Sequence, residues 1–148
     1  MEIRHERWLP QPPDAVWQAL NDPEVLGACM PGCESVERLA PDYFVAYLVA
    51  RVGPVEARVE GTIRIVDPRP PRHYTLAFEA SGRAFGRTEG RTYVELVDDR
   101  GGARITYRVA LSMSGRLARM GQRFLNSAAL RLMDRFFDRL AERLREGV

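Results

Sequence analysis

From Leu117 to about Glu146, apolar residues recur at helical spacing: Leu117, Met120, Phe124, Leu125, Ala128, Ala129, Leu132, Met133, Phe136, Phe137, Leu140 and Leu144. Steps of three and four sustained over many turns put one apolar stripe on one rod. A helix of that span is about 45 Å long at 1.5 Å per residue, enough to cross a small domain. Upstream, from about Cys33 to Met113, almost everything reads as strand and turn. A meander of strands followed by one long amphipathic helix constrains the chain to an α+β architecture, in which a curved sheet takes hold of the helix.

The chain before that helix divides at its prolines and glycines. Glu2 to Leu9 reads as a first strand, stopped by Pro10, Pro12 and Pro13. Pro13 suits the first position of a short helix through Leu20, because its fixed φ is helical and its missing N–H is not needed there. Asn21 or Asp22 can cap a second short helix with Pro23 in its first turn and Val25, Leu26 and Met30 inward. Strands are expected at Cys33 to Leu39, Tyr43 to Val52, Val55 to Asp67, Tyr74 to Ala80, Thr88 to Val97, and a last one carrying Ile105 to Met113. In Val55 to Asp67, Val59, Gly61, Ile63 and Ile65 alternate with Arg58, Glu60, Thr62 and Arg64, the period of a strand with one dry face. Asp98-Asp99-Arg100-Gly101-Gly102 is a hairpin signal. The sum is an antiparallel sheet of six to seven strands around a long C-terminal helix, with two short helices after the first strand. Residues 1–148 read as one domain, a length that suits a single core.

The inner rows are trimmed. Ala46, Ala50, Ala57, Gly61, Ala80 and Gly90 stand where a closed core would favour Val, Ile or Leu, and the helix adds Gly121, Ala128 and Ala129. Interiors pack near 0.74 of their volume. Small residues on both walls mean either close approach of helix and sheet, or an apolar pocket of ligand size. The expected lining of such a pocket is Leu26, Met30, Leu48, Val59, Leu76, Phe78, Phe85, Val94, Leu111, Met120, Phe124 and Ala128. The Ser81–Gly86 loop with Phe85, and the second short helix with Met30, would gate it.

Catalytic chemistry finds little footing. The two histidines, His5 and His73, read as surface residues. There is no phosphate-binding loop, zinc-protease helix, nucleophile elbow or dinucleotide fingerprint. Cys29 and Cys33 lack the second pair of ligands that a structural zinc site needs, and Glu34 would raise the neighbouring thiol pKa. General acid–base work would fall to Tyr74, Tyr107 or Glu89. No catalytic residue and no metal ligand is assigned.

All 22 basic residues are arginine, and the net charge of +2 does not call for nucleic acid. Aromatic residues on inner rows do not interleave with the arginines, which also argues against a nucleic-acid surface. In the second half of the terminal helix, Arg131, Arg135, Arg139 and Arg143 each precede an acid by three residues, the spacing of stabilising pairs. Arg116, Arg119 and Arg123, in the first half, have no such acids. They read either as a solvated face or as a dock for an anionic membrane surface or acidic protein. No apolar stretch reaches the roughly 18–20 residues that span a bilayer, and no signal peptide precedes the first strand. The expected location is cytoplasmic, peripheral at most to the inner face of the membrane.

Several motifs, in order along nearly the whole chain, resemble the G-subunit family of carbon monoxide dehydrogenase. They are Asp22-Pro23-Glu24-Val25-Leu26, Cys29-Met30-Pro31-Gly32-Cys33-Glu34, Val52-Gly53-Pro54-Val55 and Gly61. Asp67-Pro68, Pro70-Pro71, Tyr74-Thr75-Leu76, Gly115-Arg116-Leu117-Ala118 and Asp134-Arg135-Phe136-Phe137 follow. The resemblance implies the helix-grip fold of the START and birch-pollen-allergen-like superfamily, also labelled polyketide cyclase/dehydrase and lipid transport, with a cavity between sheet and long helix. It also implies association with a molybdenum-containing carbon monoxide dehydrogenase-type redox enzyme, membrane recruitment, and handling of a lipophilic quinone. The expected function is that of a non-enzymatic carrier for a quinone or lipid, held non-covalently. The alternative is a cyclase, dehydratase or hydrolase working in the same cavity.

Overall fold

The computed structural model describes residues 2–83 and 86–146. Its elements are β1 (Glu2–Leu9), α1 (Pro13–Leu20), α2 (Pro23–Cys29), β2 (Cys33–Ala40), β3 (Tyr43–Val52), β4 (Val55–Arg69), β5 (His73–Gly82), β6 (Gly86–Asp99), β7 (Gly102–Ser114), a 3-10 turn at Leu117–Arg119, and α3 (Gln122–Glu146). The seven strands form one antiparallel sheet in the order β1-β7-β6-β5-β4-β3-β2. Strands β2 to β7 follow one another as a meander, while β1 closes onto β7 at the far edge. The chain must therefore travel from one sheet edge to the other between β1 and β2, and α1 and α2 make that crossing. This is the helix-grip fold: a curved open sheet, two short helices and one long helix.

Local chemistry explains the short helices. Pro13 and Pro23 occupy first-turn positions, where a missing N–H loses nothing. Asp22, rather than Asn21, caps α2: its side chain accepts a hydrogen bond from Glu24 N–H at 2.9 Å. Asn21 instead donates from Nδ2 to the Trp17 carbonyl and closes α1. The helix α2 ends at Cys29, so Met30, expected inside it, is its extended C-cap and only half-buried; the buried residue there is Cys29.

Several boundaries differ from the sequence expectation: β2, β5 and β6 run longer, to Cys33–Ala40, His73–Gly82 and Gly86–Asp99, and the start of α3 and the end of β4 have local causes. The terminal helix begins at Gln122 and not at Leu117, because Gly121 takes φ +92°. Nothing lies within 4 Å of a Cβ built at Gly121, so the backbone turn and not crowding calls for glycine there. The helix is thus 25 residues, about 38 Å by its rise. Strand β4 runs on past Asp67 to Arg69, through a register shift between Val66 and Arg69 and a left-handed Asp67. An irregularity of that kind lets a strand tolerate Pro68, which cannot donate to a ladder.

The core lies between the sheet and α3. Tyr74, Val94, Leu96, Ile105, Tyr107 and Val109 meet Phe137, Leu140, Ala141 and Leu144. The Tyr107 and Phe137 rings stack with centroids 5.0 Å apart, and Trp17 meets Tyr74 edge-on at 4.8 Å.

Candidate functional site

Alternation sets the inner row of each strand, and small residues on those rows decide where the interior divides. A second apolar cluster stands beside the main core. Val59, Leu117 and Leu125 are buried there, with Leu48, Ala50, Ala57, Ala80, Met113 and Met120 packed against them. Three of its wall residues are alanines, so this end of the grip is where the trimmed inner rows gather.

The expected lining residues are divided between these regions. Val94 belongs to the main core, and Leu76, Phe78 and Leu111 pack on it. Val59, Leu48 and Met120 belong to the second cluster. Ala128 is half-buried on α3, and Leu26 and Met30 are half-buried at α2, outside both clusters. Phe124 is 36% exposed, and its ring lies with the Met120 side chain over the β3–β4 turn. A Cβ built at Gly53 would fall 2.8 Å from Phe124 Cζ and 3.2 Å from Met120 Cε. The gate expected at Phe85 lies outside the described residues. At the described end of the grip, Met120 and Phe124 form the cover.

Sequence reasoning missed the polar atoms of this interior. Thr88 Oγ1, Asn126 Oδ1 and Tyr107 Oη are buried and have no hydrogen-bond partner among the described residues. Thr88 stands opposite Ala80 on β5 and Met113 on β7, both wall residues of the second cluster. Asn126 follows Leu125 directly. It also precedes Leu130 by four and Met133 by seven residues, so it interrupts the apolar stripe of α3. That interruption was the available signal. A buried polar group without a partner costs about 1–3 kcal/mol; Asn126 Oδ1 only accepts and so calls for a donor such as a ligand hydroxyl, whereas Thr88 Oγ1 can donate or accept.

The candidate acid–base groups do not gather in this way. Burial pushes the Tyr74 phenol well above its ordinary range. Burial, assisted by Asp134 and opposed by Arg7, pushes Tyr107 up to about 12. Both hydroxyls therefore stay protonated near neutrality and offer no base. Glu89 faces away from α3, exposed and ion-paired with Arg87 at 3.2 Å. His5 and His73 are exposed. Cys29 is buried and Cys33 half-buried, and burial raises both thiols, with Glu34 adding to the effect at Cys33. Among the described residues, no group of three His, Cys, Asp or Glu side chains is placed to hold a metal ion.

The charges of α3 are arranged differently from the expected pairing along the helix. Asp138 accepts from Arg7 of β1 at 2.7 Å, with Asp134 4.0 Å from the same guanidinium. Arg143 reaches Glu24 of α2 at 3.4 Å. Packing α3 against β1 brings Arg7 between two acids one turn apart, so cross-element partners take the place of the i, i+3 ones. Arg116, Arg119 and Arg123 are exposed and have no carboxylate within ion-pair reach among the described residues. No described helix is long and apolar enough to cross a membrane.

A family model described as the G subunit of carbon monoxide dehydrogenase (CoxG) matches residues 8–145. Among solved structures, a conserved protein from Geobacillus kaustophilus superimposes with a TM-score of 0.93 at 26% identity, over 99% of this chain and 96% of that one. A START superfamily protein from Mycobacterium smegmatis gives a TM-score of 0.75 at 10% identity, over 99% of both chains. A protein from Rhizobium leguminosarum gives 0.75 at 18% identity, over 99% of this chain and 95% of that one. No curated protein matches the chain.

Proposed function

Because the chain belongs to the CoxG family of carbon monoxide dehydrogenase and has a START-like helix-grip fold, we propose that it is a binding protein for a lipophilic molecule bearing a polar oxygen head, an accessory to a redox enzyme rather than an enzyme itself. The observation that carries this reading is a pair of unpartnered polar atoms: Thr88 Oγ1, on a residue registered between Ala80 and Met113 of the alanine-walled cluster, and Asn126 Oδ1, on the residue after its Leu125. The apolar body would be held by area removed from water, at about 25 cal/mol per Å². The head would be placed by hydrogen bonds that Thr88 and Asn126 otherwise lack. A quinol or a hydroxyl-bearing lipid carries the donor that Asn126 Oδ1 needs, while a quinone carbonyl would accept from Thr88 alone, and the family points to a molybdenum-containing carbon monoxide dehydrogenase-type partner.

Exchange of the ligand would pass the Met120 and Phe124 cover over Gly53. Exposed Arg116, Arg119 and Arg123 at the neighbouring helix start would favour an anionic membrane surface while the cover opens, with the attraction weakening as salt is raised. The enzymatic alternative needs an ionisable group inside the grip, and the upward-shifted phenols of Tyr74 and Tyr107 argue against it. Native mass spectrometry of the full chain purified from cells tests the reading. A co-purifying lipophile is expected in the wild type and absent in Ala80→Phe, which fills space on the strand wall of the second cluster opposite Thr88. An empty wild-type protein, or unchanged retention in the folded variant, would overturn it.

A further inference from the structure

A groove of about 940 Å³ crosses the strands from β3 to β7, and Gln122 at the start of α3 also borders it. Register sets its floor. Arg64 of β4 pairs with Ala77 of β5, and Ala77 pairs with Arg91 of β6, so a small side chain lies between two arginines in one cross-strand row. Ile65, next to Arg64, and Val94, on the opposite face of β6 from Arg91, belong to the core, whereas Arg64 and Arg91 are exposed. With strands spaced about 4.8 Å apart, the two arginine backbones are about 10 Å apart. Both side chains are long enough to converge on a group seated over Ala77.

The charges of the groove are unequal in their partners. Glu79 and Glu89 are both held by Arg87, at 3.0 and 3.2 Å, and Glu2 by Arg108 at 3.8 Å. Arg64 and Arg91 have no carboxylate within ion-pair reach among the described residues. The Arg64 guanidinium carbon lies 4.7 Å over the Tyr43 ring, a contact that orients the planar group and leaves its edge N–H donors available.

We propose that this groove receives an acidic segment of a partner protein, with one carboxylate seated over Ala77 between Arg64 and Arg91. Guanidinium and carboxylate match in two parallel hydrogen bonds. The groove is broad and open along its length, which suits an extended chain better than an enclosed small anion.

The test is fluorescence anisotropy of the full chain with a fluorescein-labelled hexapeptide of alternating Glu and Gly, beside its Gln counterpart. The Glu peptide is expected to bind, and the Gln peptide is not. Arg64→Gln/Arg91→Gln should weaken binding by about tenfold or more, on the scale of lost charge-assisted contacts. Ala77→Glu, which tethers a competing carboxylate between the arginines, should do the same with the circular dichroism unchanged. Arg116→Gln/Arg119→Gln, at residues that precede α3 and do not line the groove, should leave binding as it was. Any of three results would overturn the proposal: equal binding of the two peptides, no binding by the wild type, or a loss seen only in Arg116→Gln/Arg119→Gln. A fourth would do so as well, namely loss of phosphatidylglycerol-vesicle binding but not peptide binding in Arg64→Gln/Arg91→Gln.

Discussion

The Phe124 ring rests directly on Gly53, whose φ of +59° and missing Cβ make the contact possible. A glycine in the β3–β4 turn thus gives the aromatic cover its seat. In Gly53→Ala, the left-handed backbone would cost about 1–2 kcal/mol, and the new methyl would push against Phe124 and Met120. A lower thermal midpoint and faster release of bound lipophile are expected, measured by calorimetry and stopped-flow fluorescence. Unchanged release from a destabilised variant would mean that the cover is not the exit.

Asn126 should show opposite effects on stability and on binding. Asn126→Leu removes a buried acceptor with no partner and extends the apolar stripe of α3, so the empty protein should gain about 1–3 kcal/mol. Binding of decylubiquinol, whose hydroxyl can donate to Asn126 Oδ1, followed by quenching of intrinsic fluorescence, should weaken by about tenfold with loss of one hydrogen bond to the head. A variant that is both more stable and equally tight in binding would remove Asn126 from the site. Thr88→Val gives the same contrast with almost no change of shape.

The Tyr107 phenol makes stability depend on alkaline pH. Its folded pKa of about 12 lies above the ordinary value near 10 for an exposed tyrosine. Between those values the unfolded chain loses the proton while the folded one keeps it, so stability is full below about pH 10 and falls as pH rises toward 12. Tyr74, shifted in the same direction, adds to the fall. Urea titrations of Tyr107→Phe across this window should show a shallower decline than the wild type.

How much of this the sequence could carry depends on the range of the interaction. Period-two alternation placed Val59, Ile65, Val94, Ile105 and Tyr107 on the inner face, where they are buried. Helical spacing found the stripe that buries Leu125, Phe137, Leu140 and Leu144. Local chemistry was less decisive at boundaries. Gly121 sits inside a convincing apolar period, and only its positive φ separates the 3-10 turn from α3. Partners far apart in the chain were not legible at all. Arg7 meets Asp138 across 131 residues, and no spacing rule anticipates that pair. The division of the lining residues between two clusters is likewise a matter of how the sheet curves. The orphaned atoms of Thr88 and Asn126 are visible only once the surrounding residues are in place.

The Arg7 contacts offer a last test of how α3 is held. Arg7 is mostly covered, and it bonds Asp138 at 2.7 Å while Asp134 stands at 4.0 Å; both acids are more than half exposed. Exposed pairs of this kind contribute about 0.2–1 kcal/mol. A double-mutant cycle of Arg7→Ala and Asp138→Ala should therefore give a coupling energy of about 0.5 kcal/mol. The cycle with Asp134→Ala should give a smaller coupling, because that acid is farther away and solvent lies around it. Raising the salt to about 1 M shortens the screening length to about 3 Å and should reduce the Asp134 coupling first. Equal couplings in the two cycles would mean that Arg7 moves between the acids, and no coupling in either would mean that the helix is held to β1 by apolar packing alone.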